Sequence, residues 1–186
     1  MIARRPPTRT NADRHGTNVK RQLQTPALES AALTALAKRA TYEGYAKHKR
    51  DPRAFRLDPI PGTSIDPTLC DEHAGFTPED MRRVPALMMR GIAMGLTSAA
   101  QAGDCPRLLW TIDDSGWVFE ARLTNEVQAL YHGYPLLPGD PIASKVISRV
   151  RDWAYDQDEA VIQQMLDMKR NAAVAIADAA QERYGK

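Results

Sequence analysis

The spacing of apolar residues changes character several times along the chain, and each change predicts an element. Residues 1–24 have no apolar periodicity, with Pro6 and Pro7 beside scattered Arg, Thr and Asn, so this stretch is expected to form a disordered basic arm. Thr25 and Pro26 read as an N-cap hydroxyl followed by proline at the first helical position. Leu28, Ala32, Leu33, Leu36 and Ala40 then recur at helical spacing, which predicts a helix from about Pro26 to Tyr42. Residues 47–69 are rich in charge and then in proline (Pro52, Pro59, Pro61, Pro67), a pattern that prevents regular ladders and predicts an extended, surface-hugging connection. A second start signal at Thr77 and Pro78 precedes Met81, Val84, Leu87, Met88, Ile92 and Leu96, the buried face of another helix that Pro85 should kink or restart. Gly91 and Gly95, four residues apart, permit close packing of that helix against a sheet.

The pattern then turns to strands. Arg107 to Ile112 and Trp117 to Leu123, rich in β-branched and aromatic residues, flank the turn sequence Asp113 to Gly116 and predict a hairpin. Gln128 to Tyr134 predicts a third strand stopped by Pro135. Beyond Pro138 to Pro141 the helical period returns with Ile142, Val146, Ile147, Val150 and Trp153. Val161, Met165, Met168, Ala172, Ala175 and Ala179 predict one long helix from about Gln157 to Tyr184, and their heptad-like spacing suits either the packing face of the chain's own core or a surface for a homo-oligomer. The expected fold class is α+β: an antiparallel three- to four-stranded meander packed on one face by helices, with a long C-terminal helix. Its expected organisation is a basic arm at residues 1–24, a single domain at 25–156 and a terminal helix at 157–186.

Charge sharpens this picture. Through Leu57 the chain carries thirteen Lys and Arg against Asp13, Glu29, Glu43 and Asp51, a surplus of nine, although the whole chain is only +2. A basic arm or face for a polyanion is expected, with RNA or another nucleic acid the first candidate partner. No run of residues approaches the roughly 20 apolar positions of a membrane span. Two cysteines, Cys70 and Cys105, do not form a disulfide framework, so a cytoplasmic, reduced setting with no membrane partner is expected. Phosphate-binding glycine loops, dinucleotide fingerprints, nucleophile elbows and paired-histidine zinc motifs are missing from the sequence, which disfavours those enzyme classes.

Candidate chemistry follows from the hairpin. Pairing Ile112 with Trp117 across the turn puts Leu108, Trp110, Ile112, Trp117, Phe119, Ala121 and Leu123 on an apolar face. Arg107, Glu120 and Arg122 then fall on an open face, where a carboxylate beside two guanidiniums suits a general base and an anion clamp. His132, flanked by Tyr131 and Tyr134, comes from the next strand and is suited to proton transfer near neutrality. A five-residue connection sets His132 opposite Glu120; a four-residue one sets Tyr131 beside Glu120 and His132 opposite Phe119. An ordinary solvated sheet face with a surface ion pair is the plainer alternative.

Lys47, His48, Lys49 and Arg50 form a second constellation, with Arg53 close behind. Like charge around His48 favours its neutral form, a base, while the flanking cations suit a phosphate. A plain basic loop is the alternative. Cys70, His73, Cys105 and His132 are ligand types that zinc accepts, but with only one close pair no metal or other cofactor is expected.

The stretches Lys47 to Pro52, Leu69 to Asp71, Arg90 to Ile92, Glu120 to Leu123 and Tyr131 to Pro135 resemble a group of small bacterial and phage-associated proteins of unsettled function, over about residues 45–150. The order of a helix followed by antiparallel strands bearing Glu, Arg and a late His is also similar to barnase-like and RelE-like ribonuclease toxins. That likeness implies a metal-independent endoribonuclease acting through the 2′-hydroxyl, with a cognate inhibitor protein as a further partner. It implies Glu120 as base, Arg107 and Arg122 as phosphate stabilisers and His132 or His48 as acid, with Lys47, Lys49, Arg50, Arg53, Tyr131 and Tyr134 contacting nucleic acid. A non-catalytic nucleic-acid-binding or regulatory module, or a phage-associated interaction protein, is the rival expectation.

Overall fold

A computed structural model of the chain describes residues 21–61 and 68–185. In chain order these form α1 (Ser30–Arg39), β1 (Thr41–Tyr42), a short helical turn α2 (Cys70–His73), α3 (Val84–Ala93), β2 (Gln101–Ala102), β3 (Cys105–Pro106), β4 (Leu108–Ile112), β5 (Val118–Asn125), β6 (Leu130–Pro135), α4 (Pro141–Asp156), α5 (Glu159–Leu166) and α6 (Arg170–Tyr184). Most of the expected arm lies outside the described residues. Residues 21–24 do not: Leu23 bridges Ser98, and the Gln24 amide donates to the Thr97 carbonyl at 2.8 Å. That pairing holds the chain extended up to Thr25, where the Arg149 guanidinium reaches the Gln24 carbonyl and the Thr25 hydroxyl. The first helix therefore starts at Ser30 rather than Pro26, a case of tertiary pairing overriding a local start signal. It ends at Arg39 rather than Tyr42, because Thr41 and Tyr42 join the sheet.

The sheet has the order β1-β6-β5-β4; β1 runs parallel to β6, and the other pairs are antiparallel. It is thus a mixed sheet, and the purely antiparallel meander expected from sequence is corrected on this point. Helices also cover both faces rather than one. Leu109 and Tyr131 pack with Leu33 and Leu36 of α1 and with Met88 and Ile92 of α3. Trp110, Ile112, Val118 and Leu136 pack on the other side with Val146, Ile147 and Val150 of α4 and with Ala173, Ile176 and Ala177 of α6. β2 and β3 form a separate two-stranded ribbon about Gly103.

Thr77 and Asp80 close the expected capping box, but the first turns after it are 3-10 (Pro78–Arg83), and α3 starts afresh with Pro85 in its first turn. Gly91 lets α3 lie directly on β4, since a Cβ there would stand 2.0 Å from the Trp110 carbonyl oxygen. Gly95, at φ +67°, closes the helix, with the Leu96 amide reaching back to the Gly91 carbonyl. The proline-rich connection is partly helical, with 3-10 turns at Ala46–His48 and Pro52–Phe55; residues 62–67 lie outside the described set.

The expected long C-terminal helix is present as α6, but it does not reach back to Gln157: α5 precedes it, the two separated by Asp167 at φ +50°. The buried side of α6 is Ala173, Ile176, Ala177, Ala180 and Tyr184, not the Ala172, Ala175, Ala179 stripe. It packs into the chain's own core, and the Tyr184 hydroxyl takes the Val118 amide and donates to the Leu136 carbonyl. Among the described residues no helix is long and apolar enough to cross a membrane.

Candidate functional site

The β4–β5 turn decides which side chains share a face. The Asp113 amide donates to the Trp117 carbonyl and the Gly116 amide donates to the Asp113 carbonyl. Gly116 takes φ +81°, which makes a three-residue loop. The Asp113 carboxylate accepts from the amides of Ser115 and Trp117 and locks this form. Ile112 consequently pairs with Val118, one residue away from the register expected from sequence. A one-residue slip exchanges the two faces. Glu120 and Arg122 therefore share the side of Trp110, while Phe119 and Ala121 take the other.

Glu120 is not on an open face: it is fully buried, at 0% exposure. Its Oε2 accepts from the Arg21 Nε at 2.9 Å and the Trp110 indole at 3.0 Å. Its Oε1 accepts from the Tyr134 hydroxyl and, at 3.2 Å, from the Arg122 Nε. Arg21 continues to the Asp140 carboxylate at 2.8 Å, joining the N-terminal segment to the N-cap of α4. Both oxygens are thus engaged by two guanidiniums, an indole and a phenol, so the buried carboxyl group has its hydrogen-bonding capacity met and is held in position. Burial works against the Arg21 charge, but the Glu120 and Asp140 carboxylates outweigh it and hold its pKa above the ordinary guanidinium value. Burial, reinforced by Glu120, drives the Tyr134 phenol well above the usual range, so it remains a donor.

His132 pairs across the strands with Arg122, and Tyr134 with Glu120; neither register expected for the third strand forms, because β6 starts at Leu130 after a bulge between Leu123 and Asn125. The parity nonetheless sets His132 on the side of Glu120 and Arg122. The chain leaving β1 brings Tyr45 and His48 onto the same patch. The His48 and His132 rings lie 5.4 Å apart and stacked, with Tyr45 4.5 Å from His132 and Tyr134 4.6 Å from His48. His48 is buried at 4% exposure and His132 is half-buried, whereas the Arg122 side chain is 48% exposed and carries the outer edge. Lys47 lies beside Tyr45, with Nζ 5.9 Å from the ring centre.

Other expected site residues fall elsewhere. Tyr131 is fully buried on the opposite face, where its hydroxyl donates to the Pro106 carbonyl. Lys49 is buried, with Nζ over the rings of Phe55 and Phe76. Arg50 pairs with Glu72, and its amide is held by Asp71. Arg107 is exposed and donates to the Gln101 carbonyl, remote in register from Glu120. Arg53 is exposed. Cys70 and Cys105 are buried free thiols in different apolar clusters, and no metal-ligating group of three is present among the described residues. Sequence reasoning missed Arg21, Tyr45 and Asp140, and it set Trp110 on the face away from Glu120; only the folded chain joins these residues to the site. No family model, curated protein or solved structure matches this chain.

Proposed function

We propose that the chain binds RNA at the Arg122–His132 patch and cleaves it without metal, in the manner of a small endoribonuclease. The observation that carries this is the pair of stacked imidazoles, His48 and His132, beside a half-exposed arginine on one sheet face. Arg122 takes the phosphate oxygens, held in aim by Glu120 and Tyr134. His132, the more accessible imidazole, removes the proton of the 2′-hydroxyl as that oxygen attacks the adjacent phosphorus. The 5′-oxygen leaves and takes a proton from solvent, giving a cyclic phosphate end and a free 5′-hydroxyl. His48 supports the His132 ring from behind. Glu120, sealed from solvent, positions Arg122 and is not the base. The basic N-terminal third adds affinity for the chain of phosphates.

A second reading is favoured by the complete burial of Glu120 and the near-complete burial of His48: a nucleic-acid-binding module with no chemistry. One experiment separates the two. Purified protein is incubated with total RNA in chelator. Discrete fragments with cyclic phosphate ends are expected, abolished by His132→Gln and reduced at least about tenfold by Arg122→Lys, with RNA affinity largely kept in His132→Gln. Binding that weakens steeply with salt but never yields fragments would establish the module; no binding at all would end both readings.

A further inference from the structure

The face of the sheet turned away from Arg122 and His132 carries a narrow cleft of about 40 Å³ that opens to solvent. Its walls are apolar: Leu87 and Met88 of α3 lie across from Leu109, Phe119 and Ala121 of the sheet. Two polar groups interrupt them. Lys49, at 3% exposure, lines the cleft beside the Cys70 thiol and the Gly133 backbone. Its ammonium lies 4.8 Å from the Phe55 ring centre and 5.2 Å from that of Phe76, and no carboxylate among the described residues pairs with it. Aromatic faces offset only part of the cost of removing an ammonium from water. Thr111, at 8% exposure, also lines the cleft, and its Oγ1 is buried with no hydrogen-bond partner among the described residues. Gly133 is on β6 and Thr111 on β4, so the cleft crosses three strands, about 10 Å of sheet by the spacing of strands.

A buried cation without a counter-charge among the described residues, apolar walls and a hydroxyl unsatisfied among those same residues are complementary to one kind of molecule. We propose that this cleft is a binding site for a small amphipathic monocarboxylate. The carboxylate pairs with Lys49, a flat or linear hydrocarbon body lies between α3 and the sheet, and a terminal hydrogen-bonding group meets Thr111. The ligand supplies a negative charge that the described residues do not, which distinguishes the site from an ordinary packing gap. A neutral hydrocarbon satisfies the walls but neither polar group. Phosphates and polyanions are too polar for the walls, so this site is separate from the RNA patch and does not depend on it.

The test uses the full chain with three probes: hexanoate, 3-(4-hydroxyphenyl)propanoate and the neutral 1-hexanol, each titrated by calorimetry and by thermal shift. Both carboxylates are expected to bind and raise the unfolding temperature, the hydroxyphenyl compound at least tenfold more tightly than hexanol. Lys49→Met, which replaces the ammonium with an apolar group of similar length, is expected to lose carboxylate binding at least tenfold while keeping its response to hexanol. Thr111→Val is expected to remove the advantage of the hydroxyphenyl compound over 3-phenylpropanoate. Should Lys49→Met fail to fold, Ala121→Leu decides the matter by filling the passage, and all three probes should then lose binding. Wild-type protein that ignores both carboxylates at millimolar concentration, or a folded Lys49→Met that binds them as wild type does, overturns the proposal.

Discussion

Glu120 meets four donors and no solvent, pairing with Arg122 and sharing Arg21 with the Asp140 carboxylate. An amide in its position can satisfy the donors at one oxygen only, and its own NH2 then faces Arg21 and Trp110 or Arg122 and Tyr134. Glu120→Gln is therefore expected to lower stability by about 3–5 kcal/mol, the usual cost of breaking a buried ion pair from one side. In urea denaturation this appears as a lower midpoint with an unchanged slope. Arg107→Ala serves as the control, because an exposed side chain away from such a network changes stability by only about 0.5 kcal/mol or less. A midpoint for Glu120→Gln close to wild type would mean that the network contributes far less than its geometry suggests. Loss of RNA cleavage in Glu120→Gln alone is not diagnostic of a catalytic base, which is why the functional test uses His132 and Arg122.

Among the elements, the entry to α3 shows how a local motif becomes a pH-sensitive contribution. The Asp80 carboxylate accepts from the Thr77 amide at 2.9 Å and from the Thr77 hydroxyl at 2.8 Å. These bonds, followed by Arg83, hold its pKa below the ordinary aspartate value. A carboxyl depressed in the folded state binds fewer protons there than in the unfolded chain. Its contribution is therefore complete above the unfolded value and fades as pH falls through the lower folded one. Asp80→Ala is expected to cost about 1 kcal/mol at pH 7, the typical worth of a helix cap. The gap between the two thermal midpoints should narrow as pH is lowered through and below about 4, the ordinary aspartate value. A gap that stays constant down to pH 2.5 would show that the carboxylate charge is not what stabilises the turn. The capping box itself is legible in the sequence because it spans four residues. The 3-10 form of the following turn is not, because local sequence signals mark where a helix starts and not its hydrogen-bond period.

For the whole molecule, the surplus of positive charge has been divided by the fold. Arg21 and Lys49 are turned inward, Arg50 is paired, and Arg122 and Lys47 remain at the histidine patch. Residues 1–20 contribute Arg4, Arg5, Arg9, Arg14 and Lys20 against Asp13. Each phosphate neutralised by a cation adds to the salt dependence of binding. Deleting residues 1–20 is expected to weaken RNA binding and flatten the slope of log affinity against log salt by about 2–4, while the cleavage rate at saturating RNA stays within about twofold. Binding and salt slope unchanged by the deletion would remove the arm from the interface. Because Arg21 is the first residue beyond this deletion, the Glu120 network stays intact and the comparison isolates charge from stability.

Sequence alone determined what depends on short-range physics: an α+β chain, a hairpin at residues 107–123, a helix after the Thr77 start signal with a restart at Pro85, a helix beyond Pro141, a basic N-terminal third, and Arg122, His48 and His132 as chemically suggestive groups. Apolar period, capping residues and turn composition act over a few positions, so they can be read without the fold. Tertiary structure decided the rest. One residue in the Asp113–Trp117 turn exchanged the faces of β5 and moved Glu120 from an expected open site into the core. Pairing of residues 23–24 with 97–98 delayed the first helix, and the parallel seating of β1 ended it. The same long-range contacts brought His48 from the connection after β1 against His132 on β6, 84 residues later in the chain. Which side of a strand faces inward is set by the whole packed molecule, because a strand alternates every residue and either phase is locally acceptable.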